Sequence, residues 1–108
     1  MCHLLRENFG YLCHLTSCSP HQRKLLLTTA SPEQVHALCE VCLNLLRGTI
    51  PVSQVQKGRL REHVDDIREL ASPSVPFKTK KHILAQRGGG FVSDVMSPLM
   101  SALSLFLL

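Results

Sequence analysis

Six histidines and five cysteines are the side chains of this 108-residue chain best suited to hold a metal or attack an electrophile. Most of them fall into two groups. His36, Cys39 and Cys42 recur every third residue, and Cys13, Cys18 and His21 lie upstream. Together they offer enough nitrogen and sulfur for tetrahedral zinc. The spacing argues against that use. Structural zinc usually takes Cys-x-x-Cys from a tight turn, whereas Cys39 and Cys42 fall on the apolar stripe of a helical pattern, where a free cysteine behaves as a small hydrophobe. A redox pair needs a helix N-terminus to lower the thiol pKa, and this pair is mid-helix. No nucleophile elbow occurs, and Gly88–Gly90 lacks the lysine and serine of a phosphate-gripping loop. Asp65 and Asp66 read as the wet face of a helix. The sequence thus implies no catalytic residue, no metal, no cofactor and no small-molecule substrate.

The other residues with chemical meaning are cations. The formal charge is +4, and its placement is uneven. Between Lys57 and Arg87 stand eight Lys and Arg against four Asp and Glu; residues 1–56 carry four against three, and residues 88–108 carry only Asp94. Lys57, Arg59, Arg61, Lys78, Lys80, Lys81 and Arg87 are therefore the candidate contacts for an anionic partner, either nucleic acid without sequence preference or a membrane of anionic lipid. Cysteine number is odd, and Met1 is followed by no basic segment and long apolar run. The expected setting is intracellular, nucleus or cytoplasm, with reduced thiols.

The elements that must carry these groups read as helices. Aromatic content is 5% and Trp is absent, so Leu and Val must build the core. Leu4, Leu5, Phe9, Leu12, Cys13 and Leu15 outline one helical face, and His21 to Thr29 a short helix burying Leu25–Leu27. Ser31-Pro32-Glu33-Gln34 is the clearest start signal: a serine N-cap, proline at the first position, and Gln able to reach back to the cap. Val35, Leu38, Cys39, Cys42, Leu45 and Leu46 follow at helical spacing, and Gly48 supplies the stop. The spacing predicts a helix over 32–47. Ser53 to Gln56 repeats the cap, and one helix is expected from there to Leu70 or Ala71, with Val55, Leu60, Val64, Ile67 and Leu70 inward. These two helices and their turn loosely resemble a helix-turn-helix, with Gln54, Gln56, Lys57 and Arg59 placed to meet bases. Ser74 is positioned to cap a further helix over 76–86.

The last fifth differs in kind. Three glycines introduce an apolar run to Leu108. As a helix it carries Ser93, Asp94, Ser97, Ser101 and Ser104 toward one side. Eighteen residues interrupted by Asp94 and Pro98 suit a membrane interface better than a full span. Gly88, Gly89 and Gly90 read as a hinge or processing point, and Phe91, Leu99, Met100, Leu103, Phe106 and Leu107 as the inserting side chains. The alternative is a C-terminal core helix, against which the glycine leader counts.

The run Ala37-Leu-Cys-Glu-Val-Cys-Leu-Asn-Leu-Leu-Arg-Gly-Thr-Ile-Pro-Val-Ser53, the lysine cluster, and Gln86-Arg-Gly-Gly-Gly-Phe91 with its apolar tail resemble a small protein of adintovirus-like and Maverick/Polinton-type DNA elements. The similarity covers residues 23–108. The glycine junction also resembles that of adenovirus minor core and capsid protein precursors, which a maturation protease cuts after an aliphatic residue, any residue, then Gly-Gly or Gly-X-Gly. Here Gln86 or Arg87 stands at the aliphatic position. The resemblance implies a minor virion or core protein whose partners are nucleic acid, a capsid protein or further copies of itself. The expectation is thus an all-α, compact bundle of short helices with a glycine-hinged apolar C-terminal helix. It divides into an N-terminal segment (1–22), a basic helical body (23–87), a hinge (88–90) and a tail (91–108). The other reading is a small helical DNA-binding or protein-interaction module whose last helix belongs to its own core.

Overall fold

The computed structural model describes the backbone of residues 3–107 and the side chains of residues 3–88 and 90–102. The chain forms α1 (His3–Glu7), α2 (Phe9–Ser17), α3 (Pro20–Thr28), α4 (Pro32–Arg47), α5 (Gln54–Arg61), α6 (Val64–Ala71) and α7 (Phe77–Leu107), with no strand among the described residues. The all-α expectation holds.

Three helices start on the same device. Ser19, Ser31 and Ser53 each accept a hydrogen bond from the backbone N–H three residues on, and Gln22, Gln34 and Gln56 return the favour to the serine N–H. Two of the four N–H groups a helix leaves unpaired are satisfied this way, worth about 1 kcal/mol per cap. α4 ends where expected, at Gly48 in the left-handed conformation (φ +74°), which only glycine adopts without strain. The far end of α2 is closed by a side chain: the buried Arg23 donates from Nε to the Leu15 carbonyl (2.6 Å) and from its terminal nitrogen to that of Cys18 (3.3 Å). Tyr11 ties α2 to α3 by donating to the Leu26 carbonyl at 3.1 Å; burial, with Cys18 nearby, pushes its phenol up to about 12.

α4 packs chiefly on α6, with α7 and α1 also against it. α7 in turn meets α2, α3, α5 and α6. Two helices read as continuous are broken. The first breaks at Asn8, whose amide donates to the Leu4 carbonyl and closes α1. The second breaks at Glu62 and His63, whose N–H groups bond back only three residues, to Arg59 and Leu60. The five-residue step from Val55 to Leu60 never fitted one stripe; Val55 is 66% exposed, and the break lets α6 turn onto α4. Leu25 is likewise exposed at 53%, beside half-buried Leu26 and buried Leu27. Ser74 does not cap α7 but bonds Ser72 within the connecting loop.

The largest correction concerns the tail. α7 bends sharply at Gly88 (φ +44°, ψ −121°), dividing it into halves 77–87 and 89–107. The second half does not hang free: Phe91, Val92, Val95, Met96 and Leu99 are all at most 2% exposed, and Met100 packs beside them. A core helix does gain from this glycine, because the bend takes a positive φ that a side chain would strain. The radius of gyration, 12.7 Å, matches the ~13 Å expected of a chain this long with nothing detached. No helix among the described residues is long and apolar enough to cross a membrane. The surroundings of Gly89, assigned above to the hinge, and the side chains of Leu103, Phe106 and Leu107, assigned to insertion, lie outside what is described.

Candidate nucleic-acid interface

The most exposed basic element is α5. Its sequence, Gln-Val-Gln-Lys-Gly-Arg-Leu-Arg, holds three cations and no acid, and none of its side chains is fully buried. Such a helix cannot stand on apolar burial and is fastened by two residues one turn apart. Leu60 packs partly against the core. Gln56 accepts from the Ser53 N–H at 3.0 Å through Oε1 and donates through Nε2 to the hydroxyls of Ser97 (3.1 Å) and Ser101 (3.2 Å) on α7. Gln56 is therefore turned inward and is not a base-reading side chain. α4 packs on α6 rather than on α5, so the helix-turn-helix geometry is not present either.

All other residues of α5 are exposed. Lys57, Arg59 and Arg61 make no ion pair with any described residue. The remaining predicted cations stand apart. Lys78, Lys80 and Lys81 lie on the first half of α7; Lys78 is exposed and the other two are half-buried. Lys80 lies near the Cys39 and Cys42 thiols and partly offsets the burial that pushes both upward. Raised thiol pKa values keep these cysteines protonated and inert, packed in α4 as the helical spacing implied. Arg87 is matched already, its Nε 3.2 Å from Asp66. No hydrogen bond or ion pair among the described residues joins the α5 cations to those of α7.

A second cluster bounds the basic helix. His63 Nε2 lies 2.9 Å from Asp94 Oδ2, and the imidazole meets the Phe91 ring edge-on at 5.3 Å. Glu62, His63, Asp65, Asp66, Arg87, Gly90 and Phe91 line an open depression of about 500 Å³. A His–Asp pair can orient a proton acceptor, but no hydroxyl or thiol of a described residue hydrogen-bonds His63, so it has no nucleophile to activate. Its evident work is to hold the α5–α6 turn on α7 across the Gly88 bend, next to the Arg87–Asp66 pair. Among the described residues no three His, Cys, Asp or Glu side chains gather as metal ligands.

Sequence reading missed His63 and Asp94 as partners because 31 residues separate them. The polar stripe of the tail was the available signal: Asp94, Ser97 and Ser101 are the residues that receive His63 and Gln56. Comparisons with protein-family models, curated proteins and solved structures returned no match.

Proposed function

We propose that the chain is a small all-helical module that binds nucleic acid through its phosphate backbone, without reading sequence, using Lys57, Arg59 and Arg61 of α5. The observation that carries this reading is the character of α5: a helix with three exposed, unmatched cations, no acid and no fully buried side chain. Phosphate contacts of this kind give affinity without base discrimination. Lys78 and Lys81 extend the positive charge of the molecule, while Arg87, paired with Asp66, adds little.

A minor virion or core component, the role implied by the resemblance to proteins of virus-like elements, would use the same face on packaged nucleic acid. A membrane role would require Phe91 and Leu99 to leave the core, and we assign that helix to the fold instead. The test is binding of the full chain to duplex DNA across a salt series. Each phosphate contact contributes about −0.9 to the slope of log K against log salt, so Lys57/Arg59/Arg61→Gln should make the slope shallower by roughly 2–3. Binding whose slope ignores these substitutions would remove α5 from the interface.

A further inference from the structure

We infer that α5 is a latched arm: residues 51–62 lift off α7 as a unit while the rest of the molecule stays folded, and the His63–Asp94 bond is the catch. Its consequence for binding rests on the reading above. Among the described helices α5 alone has no fully buried side chain; even the five-residue α1 buries Leu5. α6, of the same length as α5, buries Ile67 and Leu70. A helix without such anchors lies at the low end of local stability, because opening it exposes little apolar surface.

The chain offers a pivot on either side of α5. Pro51, Val52 and Ser53 belong to no helix, and the buried Ile50 fixes the connector before them. At the far end the helical ladder is already interrupted at Glu62 and His63, and the buried Ile67 fixes α6 beyond. Between these pivots half-buried Leu60 is the arm's one contact with the core. Hydrogen bonds to α7 do the remaining holding. Gln56 reaches Ser97 and Ser101 near the start of α5, and His63 reaches Asp94 just past its end. The His63 and Asp94 side chains are 20% and 23% exposed, so water can take over their bond when it breaks. A bond exchanged for water in this way contributes little net stability. Cations carried on an arm that opens are in place only while it is shut, so apparent affinity falls with the shut fraction.

The experiment follows amide hydrogen exchange in the full chain, with anisotropy of a labelled duplex of arbitrary sequence as the second readout. In the wild type, amides 57–61 should exchange at least about tenfold faster than the central amides of α4, corrected for intrinsic rates. Asp94→Ala and Asp94→Asn remove the same charge, but only asparagine keeps an oxygen that accepts from His63. Asp94→Ala should speed α5 exchange by a further factor of about five and leave α4 within about twofold, while Asp94→Asn stays near the wild type. Asp94→Ala/Ser97→Ala/Ser101→Ala releases both catches and keeps every cation. It should bind the duplex about tenfold more weakly than Asp94→Asn, with the same salt slope. Exchange of α5 and α4 in step in the wild type would overturn the arm, as would loosening of all helices alike by Asp94→Ala. Asp94→Asn behaving as Asp94→Ala would remove His63–Asp94 as the catch. Equal binding by the triple variant and Asp94→Asn would overturn the arm's role in binding. The exchange contrast uses no DNA, so it decides the arm separately; no binding by the wild-type chain would overturn the α5 reading and that role together.

Discussion

The second half of α7 and the short α5 touch each other, yet they are opposite kinds of helix. From Phe91 to Leu99 the first presents five side chains that are almost wholly buried, and its single charged residue, Asp94, is engaged by His63. α5 has no fully buried side chain and leaves three cations unmatched. Their interface is polar, made by Gln56 with Ser97 and Ser101. One helix holds the molecule together and the other is held out by it. Stability and binding are therefore located in different residues and can be changed separately.

The sharpest way to break that contrast is to stop the chain at Gly90. Burial of Phe91, Val92, Val95, Met96 and Leu99 contributes roughly 8–15 kcal/mol gross at about 1.5–3 kcal/mol each, as large as the whole stability of a typical domain. The shortened chain should lose its cooperative thermal transition by circular dichroism; a cooperative melt would show that the body folds without the tail. Next in size is the bend. Gly88→Ala forces a side chain into φ +44° and should cost about 1–3 kcal/mol in denaturant unfolding. Gly90→Ala, exposed and with open space around it, should be within about 0.5 kcal/mol of neutral. Equal effects at both glycines would remove the special place given to Gly88. The smallest effect is expected on α5. Lys57/Arg59/Arg61→Gln should shift unfolding stability by less than about 0.5 kcal/mol per site while flattening the salt dependence of DNA binding. A large stability loss would mean that the two helices are not divided as described.

What could be read in advance was what neighbours in the chain decide. The caps at Ser31 and Ser53 formed as their spacing implied, and α4 begins and ends where Pro32 and Gly48 place it. A third box, Ser19-Pro20-His21-Gln22, carries the same signal and starts α3 at Pro20, one residue before the start expected at His21. The cations of α5 were legible as charge. Their geometry was not, because the inward direction of Gln56 is set by serines more than forty residues away. The same distance hid the break at His63, whose partner Asp94 lies on the far side of the glycines.

The sequence by itself determined the helical class, the caps, the stop at Gly48 and the basic character of residues 57–87, since each follows from local backbone hydrogen bonding or from counting charges. Only the tertiary structure decided the fate of the apolar tail. Composition gives Phe91, Val95 and Leu99 the same cost of exposure to water whether they meet a membrane, a partner or their own domain. Their burial required that Gly88 bend the chain and that the surfaces it reached be apolar, a match that exists only once the other helices are in place.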